Sequence, residues 1–560
     1  MDLTQHNFAY YLPWLLKELT QSYFVSIDFE LSGISLAPSS QIPKIQTLQE
    51  RYLENKIAAE KYQIIQIGLT ICNEDAANGT YNLRPFNICL SPIVEQALDI
   101  NRDWTFSSLA VEFLLGHGFS IDALCKQGVR YLSRSEEQEA REHMNTRLNR
   151  LDTWDIQDID QVSLDFLEEV RALLDNWVAS YQGQRRNEHL NIPPLPRSYK
   201  AQQRRTLPRH LSNQQKYLVH KVIRLEYPDL KSQTRHGYVQ VTETTAEMNR
   251  LAIERKRDDA KKKIQKSIGF RWIAEALVGG DLTSLEPSTF APLLAQAENP
   301  KFTLEELSSG LKDCLKENRV VFIGHNCFTD LVFFYHHFIG KLPQTLEEFK
   351  LLVHRVFPLV IDTKYLFTYD EDSSNAKSSL ADANREFAKV AFPKIIIDPV
   401  YSKYAWSESL HEAGYDSMLA AILFIKLSAQ LHKEGKILNN TKGTLREMNI
   451  EIANGQPFNV QDLFNSVMNG RSKRAQSRSN DDDDLPGKGD DGKDSDVWSP
   501  EESLQSLAES ATHAVADMVR NGLLIPRLDS EFWDVYGNKL RVFGTHEGVV
   551  DLGEIAREAT

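Results

Sequence analysis

A run of β-prone residues, Tyr23-Phe-Val-Ser-Ile-Asp-Phe-Glu30, closes on two carboxylates set two positions apart. Side chains alternate between the faces of a strand, so Asp28 and Glu30 point to the same side. Two like charges held together are costly unless something cationic neutralises them. The fold must therefore open the end of an apolar strand to water or bring a cation to it. Residues 62–72, Tyr-Gln-Ile-Ile-Gln-Ile-Gly-Leu-Thr-Ile-Cys, read as a neighbouring central strand. A third strand is expected at 81–90, after the Asn78-Gly79 turn signal, which gives the sheet an antiparallel opening.

Farther along, the apolar spacing predicts helices at 164–177, 247–266, 304–317, 330–339 and 417–431, with strands at 319–324 and 359–362. The opening MDLTQHNFAYYLPWLLKEL reads as an amphipathic helix and lacks the basic-then-apolar plan of a signal peptide. The longest apolar run, 418–425, is cut by Lys426 and falls short of the ~18 residues of a membrane span, so a buried helix and no membrane partner are expected. Cys72, Cys89, Cys125, Cys314 and Cys327 form no C-x-x-C pair. That pattern predicts a reducing compartment, nucleus and/or cytoplasm, and no zinc module.

The formal charge of −14 hides an asymmetry. Between Arg185 and Arg235 twelve Lys or Arg face three acids, a net of +9, so the rest of the chain carries −23. Such a stretch is either a solvated basic loop or a surface for a polyanion. From 469 to 500 a basic patch, Arg471-Ser-Lys-Arg-Ala-Gln-Ser-Arg478, precedes Asp481-Asp-Asp-Asp484 and a Gly/Asp-rich tract too polar to build a core. Beyond it an amphipathic helix at 501–521 and a hairpin turning through Tyr536-Gly537-Asn538 are expected. The expected organisation is a mixed α/β unit in two halves, 1–160 and 266–435, split by a basic α/β insertion at 161–265. An acidic linker at 436–500 and a short appendage at 501–560 follow.

Two more chemical pieces lie in the second half. Gly324-His325-Asn326 ends a strand with Asp330 opening the next helix, and His411-Glu-Ala-Gly-Tyr-Asp416 introduces a later one. Five residues of ideal helix turn by about 500°, leaving positions 411 and 416 some 140° apart, so His411 belongs on the loop before the helix. Taken singly, each piece has an ordinary reading: a solvated acidic turn, an Asp helix cap, a surface histidine. Together, D-x-E on the first strand, G-H-N-x-x-x-D at a strand-to-helix junction and H-x-x-x-x-D at a late helix resemble the exonuclease superfamily named for its four acids and histidine. The words Asp28-Phe-Glu-Leu-Ser-Gly-Ile34, Asp362-Thr-Lys364 and His411-Glu-Ala-Gly-Tyr-Asp416 are similar to the poly(A)-specific ribonucleases, a branch of the CAF1-type ribonucleases. The resemblance covers roughly residues 1–435.

It implies a ribonuclease H-like fold and a 3′-to-5′ exoribonuclease acting on single-stranded RNA ends such as poly(A). Two divalent cations, magnesium with manganese able to substitute, would be held by Asp28, Glu30, Asp330 and Asp416, with His411 as general base. The related layout with a tyrosine four residues before the last acid has Glu412 in that place here. By the same resemblance Asn326 and Lys364 lie near the scissile nucleotide, and Ile34, Val111, Phe113 and Leu380 around its bases. Ordinary core packing is the competing reading for those four. In the insertion, Arg204, Arg205, Arg209, Lys216, Lys221 and Arg224 are candidates for the RNA backbone, and the family's habit is to dimerise through the nuclease domain. Trimming of small non-coding RNAs and a non-catalytic RNA-binding scaffold remain the alternatives.

Overall fold

The three β-prone runs near the amino terminus form adjacent strands in the computed structural model, which describes residues 1–36, 46–75, 78–152, 160–180, 189–194, 207–297, 302–369, 379–404, 408–433, 524–543 and 548–554. In chain order the strands are β1 (Asp2–Leu3), β2 (Phe24–Leu31), β3 (Ile64–Asp75), β4 (Thr80–Cys89), β5 (Leu190–Ile192), β6 (Leu230–Thr234), β7 (Val239–Glu243), β8 (Phe322–Gly324), β9 (Val360–Asp362), β10 (Lys394–Ile397), β11 (Lys539–Arg541) and β12 (Val549–Asp551). One sheet runs β1-β4-β3-β2-β8-β9, with β10 also paired to β4. β2, β3 and β4 are antiparallel, whereas β8 and β9 join β2 in parallel. This is the mixed α/β sheet that the sequence predicts. Short strand segments bring residues 28, 324 and 362 to one end of it.

Packing explains why β2 occupies the centre. Phe24 packs with Ile323 and Ile361 from its parallel neighbours and with Phe424 on the long helix Ala413–Lys433. That helix contains the 418–425 run, nearly all of it buried as expected. None of the described helices is long and apolar enough to cross a membrane. Leu524, Ile525, Phe532, Trp533 and Tyr536 enter the same core, so the C-terminal appendage is built into this unit.

Several boundaries move. The strand expected at 319–324 is only Phe322–Gly324, and the following helix starts at Phe328, which puts Asp330 inside its first turn rather than at its cap. The helix expected from 417 starts at Ala413. Tyr536-Gly537-Asn538 is not the hairpin turn: helix Phe532–Tyr536 ends there, Asn538 takes a left-handed φ of 59°, and the chain reverses between Arg541 and Val549 instead. Gly and Asn suit a helix stop as well as a hairpin, so the local sequence alone does not separate the two. The helix expected at 501–521, the acidic linker and Arg471–Arg478 lie outside the described residues.

A second unit comprises Glu95–Ile100 and Glu136–Lys266. Its helices Gln161–Ser180 and Asn213–Glu226 cover a three-stranded sheet, β5-β7-β6, through Val170, Leu174, Val219, Val222, Val239 and Val241. The sequence expectation starts this insertion at 161. Most of the helix Arg134–Asn149 groups with it too, a helix as charged as its neighbours and so without a compositional boundary.

Candidate active site

Alternation along β2 buries Ile27, Phe29 and Leu31 and turns Asp28 and Glu30 to the other face, where both still reach solvent. Asp416, on the first turn of its helix, joins them: one carboxylate oxygen from each of the three lies within 4.8 Å of the others. Asp330 is close enough for its charge to raise both Asp28 and Glu30. Burial is the largest cause of the upward shift of Asp28, followed by the charges of Asp330, Asp416 and Glu30. Glu30 is pushed from 4.5 to about 8, by burial first and then by Asp416 and Asp330. Asp330 and Asp416 are raised mainly by burial as well. Among the described residues no lysine or arginine counters these shifts. A cluster of hard oxygen donors with its negative charge unneutralised by the protein is the donor set that a divalent cation takes.

The approach of Asp416 depends on residues that no local motif marks. Asp28 pairs across the sheet with Gly68, where a Cβ would sit 1.8 Å from the Ala413 carbonyl oxygen. Only glycine lets the helix start come this close. Around it, Gln66 Oε1 accepts from the Ala413 N–H (3.0 Å) and Asn87 Oδ1 from the Gly414 N–H (3.2 Å). Asn87 Nδ2 donates to Glu412 (2.8 Å), which also pairs with Lys403, and Thr70 and Ser417 hydroxyls meet at 2.9 Å. Strands β3 and β4 thus grip the loop and helix that carry His411 and Asp416.

His411 lies exposed on that loop, as expected, with a left-handed φ of 65° and its N–H donated to Asp416 Oδ2 at 3.1 Å. Its ring packs edge-on against Phe113 (4.9 Å between centroids) and His117 (4.2 Å). Burial, then the charge of His117, lowers its proton affinity. His117, whose Nδ1 is 2.7 Å from the Phe113 carbonyl oxygen, has no motif in the sequence to mark it. Asn326 is the second left-handed residue here (φ 58°), held by donation of its N–H to Asp362 Oδ1 (2.7 Å). Asp362 is fully buried, accepts also from the Lys364 N–H (2.9 Å), and raises Asp330 by its charge. His325 is structural: half-buried, with Nδ1 2.9 Å from Thr363 Oγ1 and its proton affinity pushed down to about 3 by desolvation and then by Lys364.

The other predicted contacts separate. Ile34 and Phe113 are exposed, Val111 is half-buried, Lys364 is largely buried, and half-buried Leu380 packs against the hydrophobic core. In the second unit Arg209 is exposed and Lys216 half-buried. Lys221 is buried with Nζ over the Tyr217 ring, and Arg224 pairs with Asp152 at 2.8 Å. Arg204 and Arg205 lie outside the described residues.

A profile described as CAF1 family ribonuclease matches residues 3–424. An uncharacterised protein of Schizosaccharomyces pombe is 25% identical over 444 residues, covering 76% of this chain and 92% of that protein. The poly(A)-specific ribonuclease PARN of Xenopus laevis is 23% identical over 452 residues, 77% of this chain and 63% of that enzyme. A pre-piRNA 3′-exonuclease trimmer of Bombyx mori is 25% identical over 443 residues, 76% of this chain and 71% of the relative. The chain therefore spans under two thirds of the length of the Xenopus enzyme.

Proposed function

The chain belongs to the CAF1 family of ribonucleases, and from that premise we propose that it is a magnesium-dependent 3′-to-5′ exoribonuclease that shortens poly(A) tails and releases nucleoside 5′-monophosphates. The observation that carries the reading is the convergence of Asp28, Glu30 and Asp416 within 4.8 Å, with Asp330 beside them and, among the described residues, no lysine or arginine that lowers the shifts of Asp28 and Glu30. These four acids would hold two magnesium ions, or manganese in their place. Bound there, the metal supplies an activated water and stabilises charge on the phosphorus oxygens and the leaving oxygen. His411 takes the proton of the attacking water, a task suited to an imidazole kept neutral. The rings of Phe113 and His117 pack edge-on against the imidazole and limit how it can turn. Water oxygen bonds to phosphorus as the 3′ oxygen of the upstream nucleotide departs, so the mononucleotide keeps its 5′ phosphate and the shortened RNA ends in a 3′ hydroxyl.

The test is incubation of 5′-labelled oligo(A) and mixed-sequence RNA with magnesium or with EDTA. Stepwise shortening in magnesium alone, faster on oligo(A), is expected. A second reading, 3′-end trimming of small non-coding RNAs, is favoured by the Bombyx relative, which is as similar as the Xenopus deadenylase. Equal rates on both RNAs would favour it. No release of mononucleotide would leave an RNA-binding scaffold.

A further inference from the structure

The C-terminal segment lies beyond the residues matched by the family, yet it reaches the floor of the candidate site. β9 is the edge strand next to β8, and an open edge must be paired or covered. Asn538 satisfies both the donor and the acceptor of Val360 on that edge: its N–H donates to the Val360 carbonyl (2.7 Å), its Oδ1 accepts from the Val360 N–H (2.9 Å), and its Nδ2 reaches the Pro358 carbonyl (3.0 Å). Three residues on, the Arg541 N–H donates to Asp362 Oδ2 at 2.9 Å. The buried Arg541 side chain is tied to Thr368, Nε to Oγ1 at 3.1 Å and a terminal nitrogen to the carbonyl at 3.2 Å.

Asp362 is the link. One of its oxygens is held by β11, while the other fixes the N–H groups of Asn326 and Lys364. Asn326, in its left-handed turn, feeds the helix Phe328–Phe334 that presents Asp330. A carboxylate anchored on both oxygens cannot swing, and a turn with an unfavourable backbone persists only where its surroundings hold it. We propose that Asn538 and Arg541 are positioning residues for the nuclease site: through Asp362 the C-terminal hairpin sets the Asn326 turn and hence Asp330. This rests on the exoribonuclease reading for its catalytic consequence, though not for its effect on metal binding.

The experiment uses the full chain with Asn538→Gly, which keeps the left-handed backbone and removes the side chain, and with Arg541→Ala and Arg541→Lys. Thr368→Val, a near-isosteric change that removes the Oγ1 acceptor together with the hydroxyl's own donation to the Lys364 carbonyl, guards against a fold that fails altogether. Manganese binding is measured without RNA by electron paramagnetic resonance, and kcat and KM on oligo(A) in magnesium. Loss of outer-shell support costs metal sites roughly tenfold or more in affinity. Asn538→Gly and Arg541→Ala should therefore weaken manganese binding about tenfold and lower kcat, with KM for RNA changed less than about twofold. Arg541→Lys should recover part of the loss, and Thr368→Val should move both in the same direction by less. A lowered melting temperature with unchanged manganese affinity and unchanged kcat per folded molecule would overturn the proposal. If the unmodified protein binds manganese but cleaves no RNA, the exoribonuclease reading fails while the manganese comparison still decides this one.

Discussion

Replacing Glu30 by Gln should make the metal-free protein more stable while it destroys the site. Glu30 is raised from 4.5 to about 8 in the folded chain, chiefly by burial and then by Asp416 and Asp330. Between those values the native state keeps a proton that the unfolded chain has released. The stability that the protonated carboxyl contributes is complete below about pH 4.5 and is lost as pH rises through about 8. At about 1.4 kcal/mol per pH unit the full displacement is worth roughly 5 kcal/mol. Glu30 still reaches solvent, and screening reduces that figure to about 2–3 kcal/mol. Gln is neutral throughout, so in EDTA at pH 8.5 the variant should resist denaturant by about that margin, and at pH 4.5 the two proteins should match. Saturating magnesium or manganese should reverse the order at pH 8.5, because only the unmodified site gains the free energy of binding. Thermal or urea unfolding followed by tryptophan fluorescence reads all three conditions. A variant less stable in EDTA at pH 8.5, or a difference independent of pH, would refute the claim that unneutralised negative charge dominates this cluster.

Other consequences are separable. Asp28→Ala and Asp416→Asn should abolish release of mononucleotide and leave RNA affinity within a few fold in a filter-binding assay; turnover in either would remove the two-metal reading. His411→Ala should lower kcat by ~10²–10⁴-fold with KM little changed, as for a lost general base. Gly68→Ala should displace the start of helix Ala413–Lys433, because the new methyl would overlap the Ala413 carbonyl, and so cut both manganese affinity and cleavage. Arg209→Ala with Lys216→Ala should flatten the salt dependence of RNA binding by roughly 1.4 in log–log slope if both meet phosphates, since each contact on a single strand contributes about 0.7.

The motifs of the candidate site are legible because they are local words whose spacing has a direct geometric meaning. D-x-E in a β-prone run places both acids on one face whatever the rest of the chain does. His411 before, and Asp416 within, the late helix follow from the angle between them. What could not be read was contact at long separation. Nothing near Gly68 or Asn87 in sequence announces that residues over 300 positions away will rest on them, and His117 belongs to no motif. Gly537 and Asn538 suit a hairpin turn as well as a helix stop, because the residue types that stop a helix also reverse a hairpin, and tertiary packing of Trp533 and Tyr536 decides between them.

Two junctions of the site share one construction, and it bears on how the site stays formed. His411 and Asn326 both take left-handed backbones that cost energy outside glycine. Each donates its N–H to a carboxylate close by in space: His411 to Asp416, Asn326 to Asp362. A charged acceptor makes a stronger hydrogen bond than a neutral one, so the strain is offset best when these acids are ionised. For Asp362 the backbone N–H groups of Arg541, Asn326, Lys364 and Tyr365 supply that support within the fold, and they pull its proton affinity down against the effect of burial. Asp416 has the His411 N–H, but burial and then the charge of Glu412 oppose its ionisation, and its own charge repels Asp28 and Glu30. A bound cation would remove that repulsion, and in stabilising ionised Asp416 it would strengthen the bond that fixes the His411 loop. Metal loading and the posture of the proposed general base, His411, would therefore be coupled through a single carboxylate. On that argument Asp416→Asn should loosen the His411 loop even where a metal ion is retained by the other acids. Faster hydrogen exchange at residues 409–412 in the variant is the expected result, and exchange unchanged from the parent would break the link.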